Sequence, residues 1–174
     1  MKAKASTHSA QPIRKPDAPQ ALALAEAQLR QSSVRITAAR IKVLAALLGA
    51  ERAFTHQDVQ DTLSDMDRVT LYRALDCLTD AGLAHKIAGD DRVFRYSAGA
   101  EHADIPVGPG NEGQVPHHQQ HGHFKCTRCA KVFCLESIGE PELLHRALQQ
   151  TLGKGFRSHD IEFTIKGWCA DCAH

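Results

Sequence analysis

Two matching cysteine pairs, Cys126-x-x-Cys129 and Cys169-x-x-Cys172, stand thirty-nine residues apart near the end of a 174-residue chain. Four thiolates at this spacing suit a tetrahedral zinc site better than any other common arrangement. Each pair makes a tight turn, and an intervening segment of this length holds a strand and a helix. Bringing the turns together therefore clamps a small sheet. A unit this small buries little apolar surface, so the bound ion forms part of its folding energy. A reversible disulfide pair is the rival reading. Nothing in the sequence exports the chain: its first residues carry lysines but no apolar core, and no run reaches membrane length. The expected address is the cytoplasm, where cysteines stay reduced and free to ligate.

Charge is distributed unevenly. Residues 1–98 hold 14 basic and 11 acidic side chains, and residues 99–174 hold 7 and 9. Four metal-bound thiolates make the second half more negative still, so only the first half suits a polyanion, and local placement decides how.

Punctuation along the chain divides it into four parts. Residues 1–20, with Pro12, Pro16 and Pro19, read as a disordered tail. Residues 21–98 read as a helical unit closed by a hairpin. A helix is expected over Ala21–Gln31. A second, capped by Thr37, runs to about Leu48, with Ile41, Leu44 and Leu48 inward and Val43 and Leu47 widening that face. Thr55-His-Gln-Asp58 starts a short third helix as a variant capping box. A turn at Ser64–Asp67 leads to a fourth over roughly Arg68–Ala81, with Leu71, Leu75 and Leu78 facing the core and Gly82 closing it. Segments His85–Ala88 and Val93–Ser97, joined through Gly89-Asp90-Asp91, predict a hairpin. Helices followed by a hairpin give the winged-helix layout. Residues 99–118, rich in Gly and Pro, read as a hinge. Residues 119–174 form the second unit, with a strand near Lys131–Leu135, a helix from Pro141 to about Leu152, and a strand through Ile161, Phe163 and Ile165 with one buried face. The fold class is α+β.

The turn-linked third and fourth helices can lay the fourth in a DNA major groove. Thr70 is short enough to donate to a phosphate, Tyr72 and Arg73 reach backbone or bases, and Arg68 and Arg35 add positive contacts. Helical hairpins of this size are also common in proteins that never touch DNA, so Tyr72 also reads as a packing residue and Arg73 as a solvated one.

A second metal site is legible beside the first. In His121-Gly-His123 the imidazoles alternate along an extended segment and point the same way. Imidazole suits zinc, nickel and iron. A site built from His85, His121, His123 and Cys134 spans both halves, and an ion there would set their relative angle. Singly, His85 reads as a surface histidine and Cys134 as a core thiol; the reading rests on convergence. His102, Glu136 and His159 are further candidate ligands, and Cys77 reads as core filling.

These residues resemble the ferric uptake regulator family over about residues 21–174. The matching stretches are Arg35-Ile-Thr-Ala-Ala-Arg40, Val69-Thr-Leu-Tyr-Arg-Ala-Leu75, Gly82-Leu-Ala-His85, His121-Gly-His-Phe-Lys-Cys-Thr-Arg-Cys129, Gly155-Phe-Arg-Ser-His159 and Gly167-Trp-Cys-Ala-Asp-Cys172. The resemblance implies a homodimeric, metal-dependent repressor with a winged-helix DNA-binding domain and a dimerising C-terminal domain. It also implies that Tyr72 lies on the recognition helix and that the paired cysteines hold structural zinc. Within the family the chain is most similar to the zinc uptake regulators: His85, His121 and His123 match sensor positions. Cys134 stands where members usually carry a glutamate. A thiolate there favours zinc over iron. Gln120 and Gly122 stand where a third family site has ligands, and Ser97 stands near a ligand cysteine of some zinc sensors.

The expected function is zinc-responsive repression of zinc uptake genes through palindromic operator DNA, with Zn²⁺ in structural and regulatory roles. An iron or peroxide sensor on the same scaffold is one alternative. A zinc-dependent hydrolase using His121 and His123 is another, but it needs an open coordination position and a base, and no HExxH-type arrangement is present. A zinc-stabilised protein-interaction module is the third.

Overall fold

A computed structural model describes residues 17–98, 122–135, 146, 150–152, 155 and 163–173. The first helix, α1 (Ala18–Gln31), begins three residues earlier than the apolar pattern suggested. Asp17 caps it by accepting from the Gln20 N–H at 3.0 Å, and Pro19 sits in the first turn, where its missing N–H costs nothing. Helix α2 (Ala38–Leu48) starts at the predicted Thr37 cap. Its buried residues are Val43, Leu44, Ala45, Leu47 and Leu48, whereas Ile41 lies at the margin of the core.

A two-residue strand, β1 (Phe54–Thr55), precedes α3 (His56–Thr62) and was not legible in the pattern. The capping box forms as expected: Thr55 Oγ1 accepts from the Asp58 N–H, and the Asp58 carboxylate accepts from the Thr55 N–H at 2.7 Å. Gln60 Nε2 then donates to the Met66 carbonyl at 2.7 Å, fixing the turn into α4 (Arg68–Asp80). Asp67 caps α4 through the Thr70 N–H. Leu71, Ala74, Leu75 and Leu78 are buried, each leucine contributing about 2 kcal/mol of apolar burial. The chain leaves α4 through Gly82 at φ +71°, a left-handed conformation that glycine adopts without a Cβ clash.

Strands β2 (Ala84–Ala88) and β3 (Phe94–Ala98) make the predicted hairpin, and β1 adds to its far edge in the order β1-β3-β2. One face of this sheet carries the buried Tyr96 towards the helices; the other carries His85 and Ile87 away from them. In the second half, β4 (Gly122–Cys126) pairs antiparallel with β5 (Val132–Leu135) and parallel with β6 (Phe163–Gly167). The expected one-sided burial of the last strand is not met where the chain is described. Phe163 is half-buried but Ile165 is 49 % exposed; among the described residues β6 lies at the edge of its sheet, and its Ile165 side chain is left uncovered. Ile161 and most of the helix expected over 141–152 lie outside the described residues; Arg146 and Gln150–Leu152 are helical.

The halves touch through the outer face of the hairpin. Ala53, Ile87 and Val132 form a small buried cluster with Cys134 packed against it. The Ala53 N–H donates to the Val132 carbonyl at 2.7 Å. At the wing turn, Asp90 pairs with Lys166 at 2.9 Å on β6 and with Lys125 at 3.2 Å on β4.

Candidate metal centres and nucleic-acid face

The tetrathiolate cluster assembles from local geometry. Cys126 ends β4, and Cys129 lies in the turn to β5, which Ala130 closes at φ +57°. Cys169 follows β6 and caps a 3-10 turn, Ala170–Cys172, whose last residue is the fourth cysteine. The parallel pairing of β4 with β6 brings the two turns side by side, and the Thr127 N–H donates to the Gly167 carbonyl at 2.8 Å to hold them there. All four Sγ atoms lie within 4.8 Å of one another. Cys129 Sγ and Cys169 Sγ are 3.7 Å apart. Four sulfurs about 2.3 Å from one zinc stand about 3.8 Å from each other, so the spacing fits the ion.

The electrostatics fit a cation as well. The Cys169 N–H points at Cys126 Sγ at 3.4 Å and, with neighbouring amides, lowers the Cys126 thiol to about 6. Cys172, hydrogen-bonded by Cys169 and Cys129 and then penalised by burial, is pushed up to about 12. Four adjacent thiolates repel one another, and a divalent ion removes that conflict. Cations ring the cluster. Arg128 donates to the Cys172 carbonyl and stacks over Trp168 at 3.9 Å, and Lys131 pairs with Asp171 at 2.7 Å.

The second cluster joins the halves. His123 and Cys134 are direct cross-strand partners on β4 and β5, so their side chains share a face. His85 reaches them from β2, with its Nε2 3.2 Å from Cys134 Sγ and its ring centroid 5.7 Å from that of His123. The three ligand atoms lie within 4.8 Å of one another, and His123 is 2 % exposed. One nitrogen-nitrogen-sulfur set of this size fits zinc at ordinary bond lengths. Among the described residues no carboxylate joins it. His121, the fourth member expected from the sequence, lies outside the described residues, as do His102, Glu136 and His159. Ser97 sits opposite His85 in the hairpin. Cys77 is half-buried on α4, away from both clusters.

The residues expected to face nucleic acid lie mostly on the surface. Arg68, Tyr72 and Arg73 are exposed on α4, Thr70 is half-buried in its first turn, and Arg35 is exposed just before α2. Val69, at 58 % exposure, is an apolar neighbour of Tyr72. Asp76 and Asp80 are exposed in the later turns, so the positive potential is confined to the start of the helix.

Three residues carry no sequence signal for the contacts they make. Arg52, in the loop before β1, makes a two-pronged pair with Asp58 at 2.6 and 3.0 Å. That pair, aided by the Thr55 contacts, holds the Asp58 carboxyl well below the usual carboxylate range. His56 stands between two tyrosine rings, and Asp90 between two lysines. Only the side-chain packing of distant segments reveals these roles.

Comparison with known proteins follows the same lines. No family model matches the chain. It is 29 % identical over 150 residues to the transcriptional regulator FurA of Mycobacterium tuberculosis, spanning 84 % of this chain and 88 % of that protein. A zinc uptake regulator solved in complex with zinc and DNA superposes with a TM-score of 0.59 at 24 % identity, covering 90 % of this chain and 95 % of that one. The holo form of XcZur superposes with a TM-score of 0.54 at 25 % identity, covering 87 % and 98 %. These proteins are regulators, not enzymes, and the hydrolase reading finds no support among them.

Proposed function

We infer that this ferric uptake regulator family protein is a zinc-responsive repressor that acts as a homodimer in the cytoplasm. In this reading it binds palindromic operator DNA when zinc-loaded and controls zinc uptake genes. Residues 21–98 are its winged-helix reader and residues 119–174 its pairing unit, linked by 99–118. The four paired cysteines hold structural zinc. His85, His123 and Cys134, joined by His121, hold the regulatory ion. Arg35, Arg68, Thr70, Tyr72 and Arg73 face the DNA.

The observation that carries the reading is the meeting of His85 with His123 and Cys134 across the two halves. Zinc, when bound, supplies a Lewis-acidic centre that ties one imidazole of the reader to an imidazole and a thiolate of the pairing unit. The chain's own residues do the rest. The wing carries His85 rigidly, because its hairpin is packed on α4 and α2 through Ala84 and Tyr96. A change in how His85 is held is therefore a change in the angle of α4, and a dimer binds two half-sites only when its two reading helices are correctly spaced. Cys134 sets the metal preference: a thiolate with imidazoles favours zinc over iron.

The test is a metal titration of the purified full chain, with bound metal measured, alongside protection of duplex DNA. Wild type should take up two zinc ions per chain and protect DNA only with zinc. Cys134→Ser and His85→Ala should each lose one ion and the protection while remaining folded. Two tightly held ions in both variants, or DNA binding that survives a chelator, would overturn it. A competition in which ferrous iron displaces zinc from the second site would move the reading to iron sensing.

A further inference from the structure

The contacts behind α4 bear on how its exposed tyrosine is held. Tyr72 is 42 % exposed, and a side chain that stands out from a helix loses conformational freedom when it docks. Its neighbours on α4 are charged or aliphatic, so the helix itself offers no ring to brace it. The brace comes from another element. His56, the first residue of α3, lies against Tyr72 with ring centroids 4.4 Å apart and planes at 61°. On its other side it lies against Tyr96 at 4.7 Å and 68°. Tyr96 is 1 % exposed and sits in the middle strand of the wing sheet. Its hydroxyl and the His56 Nε2 are 3.0 Å apart.

These contacts make a stack of three rings that runs from the buried centre of the winged helix to its outer face. T-shaped pairs at these separations are attractive beyond their area. Burial, and then Lys86, lower the His56 pKa, with Asp76 opposing, so the ring is neutral at pH 7. Burial raises Tyr96 to about 12, so its hydroxyl keeps its proton. The Tyr96 hydroxyl and Nε2 are hydrogen-bonded to each other in either neutral tautomer, and that bond restrains the imidazole. A fixed imidazole presents one surface to Tyr72.

We propose that His56 is a positioning residue for the DNA-reading face: anchored by the Tyr96 hydroxyl, its ring holds the exposed Tyr72 ring in the orientation that meets DNA. This rests on the DNA-binding reading above. His56 itself need not touch DNA. The same stack ties the first helix of the helix-turn-helix pair, the recognition helix and the wing into one rigid reader. Nothing in the sequence distinguishes this histidine, because the capping box around it needs only Thr55 and Asp58.

The test uses zinc-loaded full chain and a duplex that wild type selects from a random-sequence pool. His56→Gln keeps a hydrogen-bond acceptor but presents no ring, and His56→Phe keeps a ring but no acceptor. His56→Gln should weaken binding about fivefold to tenfold, the scale of one aromatic pair. In a Tyr72→Ala background the same change should have no further effect. His56→Phe should recover part of the lost affinity, falling short because its ring lacks the Tyr96 anchor. Thermal melts of the three proteins report whether each is folded, and NMR contacts between the residue at 56 and the Tyr72 ring report the brace without DNA. Equal weakening in both backgrounds, no weakening at all, or no recovery with phenylalanine overturns the proposal while leaving DNA binding standing. If zinc-loaded wild type selects no duplex, the DNA reading fails and this inference fails with it.

Discussion

Cys126, Cys129, Cys169 and Cys172 come from one three-stranded sheet and its turns, whereas His85, His123 and Cys134 come from two sheets in different halves. The sulfur cluster is built by turns whose sequence carries its own geometry. It crosses a gap that the β4–β6 ladder already closes. In the mixed cluster His123 and Cys134 are already neighbours across the β4–β5 ladder, but His85 joins them only because the wing hairpin lies against those strands. An ion in the first would fasten a fold, and an ion in the second would fasten two folds to each other. On the proposed reading one metal would serve structure and regulation with different consequences.

The largest effect that sharpens this contrast is loss of the sulfur cluster. Cys126→Ser should abolish cooperative folding of the β4–β5–β6 sheet, since structural zinc contributes about 10–16 kcal/mol of apparent binding energy in small domains. Circular dichroism and limited proteolysis would read it, with the helical half surviving as a protected fragment. His85→Ala should leave the melting of both halves nearly unchanged in zinc-free buffer. If the two variants melt alike, the division of labour between the clusters is wrong.

The next effect lies in the link between α3 and the loop beside the sulfur cluster. Asp58 closes the capping box and pairs with Arg52, whose neighbour Ala53 hydrogen-bonds Val132. Asp58→Asn should cost about 1–2 kcal/mol at pH 7, the loss of a cap and a charge-assisted bond, read by urea melts. The Asp58 pKa is depressed in the folded state, chiefly by the Arg52 hydrogen bond. Its contribution is therefore full above the ordinary carboxylate pKa and fades as pH falls towards the folded value. Wild type should lose stability over that acid range more steeply than the variant.

How much of this was legible in the residues follows the same division. The capping box, the Leu71-Leu75-Leu78 stripe, the wing hairpin and the paired cysteines are local patterns, and each forms as read. His85, His123 and Cys134 were legible only as a convergence of residues far apart in the chain, aided by family resemblance. Ile165 was misjudged because alternation marks a strand but not whether anything covers it. The Arg52–Asp58 pair, the His56 stack and the Asp90 contacts were invisible, since each depends on side chains from segments that only the fold brings together.

The smallest effect tests whether the halves are held together without the mixed cluster. Asp90, at the tip of the wing, is shared by Lys125 and Lys166 of the second half. Asp90 is fully exposed, so salt screens these pairs and they stabilise weakly. Yet the Ala53–Val132 hydrogen bond and the Ile87 contact lie on the same interface, and these do not depend on salt. Asp90→Asn should therefore loosen the angle between halves slightly in zinc-free protein, and wild type in high salt should behave the same way. Distance distributions between spin labels on the wing and on β6 would report it. The Lys166 and Lys125 hydrogen bonds lower the Asp90 pKa, so in wild type the effect of this contact is present at neutral pH and lost as pH falls through that lowered value. Zinc should then restore the wild-type distribution in Asp90→Asn, because His85 is held from the middle of the interface rather than from its rim. A variant whose halves stay loose with zinc would place the wing tip, not the imidazole, in control of the angle.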